Sequence, residues 1–69
     1  MMYILKIKGT SKIPNFVQIR DDNMSLIAYF RLDQIDKGLA KNNIDQTTNI
    51  KNTILKIPFG KICQFDENE

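Results

Sequence analysis

The chain has no histidine and no tryptophan, a single cysteine, three glycines and two prolines among its 69 residues. Histidine is the usual general base near neutral pH and a common metal ligand. Its absence removes Ser-His and Cys-His nucleophile pairs and most zinc and haem sites. Carboxylates, lysines, Tyr3, Tyr29 and Cys63 remain as reactive groups, and no nucleophile-base pair can be assembled from them. An enzyme is therefore not expected, nor a cofactor, nor a metal. One cysteine cannot close an internal disulfide. Long apolar runs are also missing. The longest, Leu26 to Phe30, is far short of the roughly 20 residues that cross a bilayer, and the Lys6 and Lys8 charges interrupt any secretory-type apolar start. The expectation is a protein without a membrane span, in a reducing compartment, the cytoplasm or the plastid stroma.

What is present is enough for one domain, residues 1–69. A chain this short buries only about 60% of the surface that its unfolded form exposes. Even so, a hydrophobic share of 42% argues against a disordered chain. The core must come from Ile, Leu, Val and Phe, with Cys63, between Ile62 and Phe65, read as a buried small hydrophobe. A net charge of +2 permits an anionic partner without demanding one.

Along the chain, Tyr3 to Lys8 is rich in β-branched residues and reads as a strand ending at Gly9. Thr10 to Pro14 carries turn chemistry. Phe16–Arg20 and Ser25–Leu32 read as two strands joined by the polar loop Asp21-Asp22-Asn23, an antiparallel hairpin. Asp33 is placed as a helix N-cap, followed by the stripe Leu32, Ile35, Leu39 at i, i+3, i+7. Gly38 within it lowers helix propensity by about 1 kcal/mol. A second helix starts near Thr47 or Thr48, carries Ile50, Ile54 and Ile57 on one face, and stops before Pro58. Lys61–Phe65 reads as a last strand and Asp66–Glu69 as a frayed acidic tail. The order β-β-β-α-α-β predicts an α+β fold: a small antiparallel sheet of about four strands with two helices on one face. The last strand would pair with the first or with the hairpin.

Alternation then divides each strand into two faces. The set Tyr3, Leu5, Ile7, Val17, Ile19, Leu26, Ala28, Phe30, Leu32, Cys63, Phe65 is apolar and is assigned to the helices. The opposite set holds Ile4, Lys6, Lys8, Phe16, Gln18, Arg20, Ile27, Tyr29, Arg31, Ile62 and Gln64. Its mixture of cations and aromatics is the main functional clue, and Lys6, Lys8, Phe16, Gln18, Arg20, Tyr29 and Arg31 are the candidate partner-binding residues. Three readings apply. The face is simply solvated, with basic stems lying over apolar neighbours. Or it docks on a protein, as arginine and aromatic enrichment suggests. Or it binds single-stranded RNA or DNA, with Tyr29 and Phe16 stacking on bases and the cations following phosphates. The last ranks below docking because no RNP-type glycine-aromatic motif is present.

Weaker constellations have structural explanations. Asp21-Asp22-Asn23 with Ser25 lacks the spacing and closing glutamate of a calcium loop. Asp33 and Asp36 are explained by helix capping and the helix dipole. Gly9-Thr10-Ser11-Lys12 lacks the frame of a phosphate-binding loop.

The segment Ile7-Lys-Gly-Thr-Ser-Lys-Ile-Pro-Asn-Phe-Val-Gln-Ile-Arg-Asp-Asp22, followed by Leu26-Ile-Ala-Tyr-Phe-Arg31, resembles short uncharacterised proteins of cyanobacteria and algal plastids. The layout is also similar to that of small phycobilisome linkers: an N-terminal strand, a strand ending in Tyr29-Phe30 before a helix, and a late Gly60-Lys61-Ile62 strand. The similarity covers about a third of the chain. The chain departs from it in lacking a double glycine before the last strand and in the length of its middle region. The resemblance implies a non-enzymatic, partner-binding protein of the photosynthetic apparatus. The abundance of Ile, Lys and Asn, 26 of 69 residues, fits AT-rich coding in a plastid or low-GC genome. The expected function is a small adaptor docking on a larger protein or assembly. A nucleic-acid-binding module is the alternative, and a self-associating subunit a third reading.

Overall fold

A computed structural model of the protein describes residues 1–44 and 49–66. Four strands, β1 (Met2–Ile7), β2 (Phe16–Arg20), β3 (Leu26–Arg31) and β4 (Cys63–Phe65), form one sheet in the order β3-β2-β1-β4. All three pairings are antiparallel. A 3₁₀ turn (Leu32–Gln34) leads into α1 (Ile35–Lys41), and α2 (Ile50–Lys56) precedes β4. The fold is α+β in the expected order, with the last strand paired to the first. The expected start of the second helix at Thr47 or Thr48 lies outside the described residues, as do residues 67–69 of the acidic tail. No helix among the described residues is long and apolar enough to cross a membrane.

Local chemistry sets the connections. Between β1 and β2, the Thr10 hydroxyl accepts the N–H groups of Lys12 and Ile13, both at 3.2 Å, and the Gly9 N–H donates to Asn15 Oδ1 at 2.7 Å. A Cβ on Gly9 would stand 1.9 Å from the Ile13 carbonyl oxygen, so no other residue fits there. Between β2 and β3, Asp21 Oδ1 accepts the N–H groups of Asn23 (2.9 Å) and Ser25 (3.0 Å). This is the Asx-type turn that Asp supports. The carboxylate expected to cap a helix behaves otherwise. Asp33 is at neither N-cap: Arg31 holds that position for the 3₁₀ turn and Gln34 for α1. It instead receives both Nε (3.1 Å) and Nη2 (2.7 Å) of Arg31, because the intervening 3₁₀ turn moves the start of α1 beyond it. Asp36 does sit in the first turn of α1, and Lys51 of α2 reaches it at 2.9 Å.

The core lies between one sheet face and the two helices. Ile4, Val17, Ile19, Ala28, Phe30 and Phe65 from the sheet meet Ile35, Leu39, Ile50 and Ile54 from the helices. Both helical stripes read from the sequence are therefore inward, with Leu32 and Ile57 packed at the margin. Pro58 forces Ile57 into an extended conformation (φ −71°, ψ 152°) and ends α2. Gly38 has a packing reason for its place in α1: a Cβ there would come within 2.3 Å of the Phe30 ring. Its absence lets the helix lie close on β3.

The register corrects one part of the face assignment. Ile4 is opposite Ile19 and Cys63, and Lys6 is opposite Val17, so Ile4 and Lys6 share the helix-covered face. Tyr3, Leu5 and Ile7 take the other face, the reverse of the assignment made from polarity. The reason is that β1 is apolar at both phases, so alternation has no contrast there except Lys6 and Lys8. Lys6 nevertheless enters the covered layer because its stem is aliphatic and its amine can leave at the edge. Leu26, also assigned to the core, is 47% exposed. A register shift beside Arg20 puts it opposite that residue, and the bulge turns it out of the inward series. Cys63 does lie on the core side, but half-buried.

Candidate binding surface

Cross-strand partners stand side by side on one face of a sheet, so the register lays out the uncovered face in rows. Arg31, Phe16 and Ile7 form one row, and Tyr29, Gln18 and Leu5 the next. Arg20, Tyr3 and Gln64 form a third, with Ile27 beside the bulge. No described element covers this face. Tyr3, Leu5, Ile7, Phe16 and Tyr29 make it a contiguous apolar and aromatic surface across three strands. Monomeric proteins seldom leave such a surface bare.

Of the candidate binding residues, Phe16, Gln18, Arg20, Tyr29 and Arg31 are brought together here. Tyr29 is the most exposed, at 53%, and its ring lies 5.0 Å from that of Phe16 with a tilt of 53°. The two rings thus lean on each other rather than offering parallel faces. Arg20 is held in place by Nη1 donating to the Met24 carbonyl (2.9 Å) and Nη2 to Gln18 Oε1 (3.1 Å). Arg31 is held by Asp33. Both guanidinium groups thus have partners within the chain, and Arg31 is paired with a carboxylate at the solvent-exposed surface.

Lys6 is not part of this surface. It is 5% exposed, its Nζ lies 4.6 Å from the centroid of the Phe59 ring, and it reaches the Leu55 carbonyl at 3.5 Å, a long hydrogen bond. Its backbone carbonyl accepts the Gly60 N–H at 2.7 Å, which ties the segment after α2 to the edge of β1. Lys8 lies past the end of β1 and is exposed. The face thus presents two cations where four were expected.

Sequence reasoning missed Tyr3, Leu5 and Ile7 as members of the surface and gave no role to Phe59, Lys37 or Lys41. A ring directly before Gly60 and in reach of Lys6 is a tertiary fact with no local signature. Lys37 and Lys41, spaced i, i+4, carried a signal that went unused: they form one basic stripe on α1.

Thr10 and Asp21, singled out in the sequence, accept backbone N–H groups of their own loops. Among the described residues no three His, Cys, Asp or Glu side chains are grouped to hold a metal. No protein-family model, curated protein or solved structure matches the chain.

Proposed function

We propose that this chain is a small, non-catalytic docking protein that binds a larger protein or assembly through the uncovered face of its sheet. The observation that carries this reading is the contiguous surface of Tyr3, Leu5, Ile7, Phe16 and Tyr29, flanked by Arg20 and Arg31. Aromatic and arginine side chains are what binding hot spots are made of, and each side chain already partnered within the chain lowers the entropy that association must overcome. The similarity to small phycobilisome linkers supplies the class of assembly, one of the photosynthetic apparatus, in the cytoplasm or plastid stroma.

The alternative, a single-stranded nucleic-acid platform on the same face, is supported less well. With Lys6 withdrawn and Lys8 beyond the strand, phosphate contacts would rest on Arg20 and Arg31, with Lys37 and Lys41 nearby on α1. The tilt between Phe16 and Tyr29 also does not suit stacking on successive bases.

Salt separates the two. A platform neutralising about four phosphates of a single strand has a log–log salt slope near −3, from roughly −0.7 per contact. The docking reading expects no measurable affinity for a poly-pyrimidine strand at about 0.15 M salt, a physiological ionic strength. It also expects a shallow salt dependence for the partner co-purified with tagged protein. Tight oligonucleotide binding with the steep slope would replace the docking reading by the alternative.

A further inference from the structure

Resting on the docking reading, we propose that the free edge of β3 takes an acidic, extended peptide segment of the partner as an added strand. The Leu32 N–H donates to the Asn15 carbonyl at 2.9 Å, which marks that pair as hydrogen-bonded. Bonded and non-bonded pairs alternate in an antiparallel ladder. Val17–Phe30 and Ile19–Ala28 are then bonded pairs, while Phe16–Arg31 and Gln18–Tyr29 are not. The N–H and C=O groups of Tyr29 and the N–H of Arg31 therefore point away from β2, while the Arg31 carbonyl, at the N-cap of the 3₁₀ turn, is taken by that turn. The outward groups project on the side where β3, the outer strand, has no neighbouring strand among the described residues. The edge runs six residues without proline or glycine, and such an edge is a template for strand addition.

The ground beside this edge fixes the chemistry of the incoming strand. A groove of about 500 Å³ opens between β3 and α1, lined by Tyr29, Phe30 and Arg31 from the strand and by Lys37, Gly38 and Lys41 from the helix. No carboxylate lines it among the described residues. Asp33 pairs with Arg31, so Lys37 and Lys41, exposed and one turn apart, set the sign of the groove. A strand laid along β3 alternates its side chains. One set meets these lysines, and the other continues the aromatic surface of Phe16 and Tyr29. The fitting segment alternates acidic and apolar residues. A DNA backbone has no donors for an outward carbonyl and RNA has only its 2′-hydroxyls, whereas a peptide carries donors and acceptors at strand spacing.

The test is a titration of isotope-labelled protein with a short synthetic peptide alternating glutamate and valine, read by amide shifts and hydrogen exchange. The N–H groups of Tyr29 and Arg31 should exchange about tenfold or more slowly when the peptide is bound. The double variant Lys37→Glu, Lys41→Glu should bind about tenfold more weakly or worse. Arg31 has φ −72°, a value proline adopts, and its N–H faces outward, so Arg31→Pro should fold and keep the β2–β3 ladder. Arg31→Pro should bind about tenfold more weakly, or worse, than Arg31→Ala, which loses the same side chain but keeps the N–H. If Arg31→Pro does not fold, the lysine variant, altered only at exposed helix positions, decides alone. Several results would overturn the edge proposal: no amide shift at millimolar peptide, equal binding of a lysine-for-glutamate peptide, or protection that rises with protein concentration alone, which means a second copy is the occupant. Peptide shifts confined to Leu5 and Ile7 would also overturn it, yet leave the docking face standing. Preference for a poly-pyrimidine strand would overturn both.

Discussion

The Lys6 side chain leaves β1 on the helix-covered face and delivers its ammonium to the Phe59 ring and the Leu55 carbonyl. What holds it is packing along the stem, plus a cation–π contact of about 0.5–2 kcal/mol, larger where water is excluded. Two substitutions separate these contributions. Lys6→Met keeps the length and apolar character of the stem, and the loss of stability should stay under about 1.5 kcal/mol. Lys6→Glu sets a carboxylate against a carbonyl oxygen and the negative face of a ring in a covered site, and the loss should reach about 2 kcal/mol or more. Denaturant unfolding of the two variants checks this. Equal, small losses for both would mean that the residue at position 6 points to solvent.

At the scale of the strand, the phase of β1 determines which residues stabilise the fold and which are left for binding. Ile4 is fully buried, so Ile4→Ala should cost about 2–5 kcal/mol. Leu5, one residue on, is half-buried on the open face, opposite Gln18. Leu5→Ala should cost no more than about 1 kcal/mol, the worth of a cross-strand pair, while weakening partner binding. Losses in the opposite order, measured by chemical denaturation, would restore the reverse phase. Elements were legible in the sequence wherever one face differed from the other. Ile35 in α1, Ile50 in α2 and Ile19 in β2 each stand between polar neighbours, Leu39, Ile54 and Val17 repeat them at helix or strand spacing, and all six face inward. In β1 both faces are apolar, so the existence of the strand could be read but not its orientation. The bulge that exposes Leu26, the 3₁₀ turn that leaves Asp33 to Arg31, and the Phe59 contact all depend on partners distant in sequence or on irregular backbone. Local pattern does not encode them. The candidate surface was accordingly half legible: β2 and β3 contributed the expected Phe16, Gln18, Arg20, Tyr29 and Arg31, while β1 contributed Tyr3, Leu5 and Ile7 instead of Lys6.

For the whole molecule, two described helices cover one side of a four-stranded sheet, and the other side carries an apolar and aromatic surface that no described element covers. A partner that covers it adds to the apolar area buried by a small core, and binding stabilises the folded state by mass action. The central claim is that the molecule acts through this side and the adjoining edge of β3, and not through the outer face of α2. Site-specific photo-crosslinking in native extract tests it most directly, with a crosslinker placed at Gln18, in the middle row of the open face, or at Asn52, exposed on α2. The account predicts a discrete crosslinked protein species from Gln18 that disappears in a Leu5→Lys, Tyr29→Ala background, and no such species from Asn52. A species captured from Asn52 but not from Gln18 would contradict it.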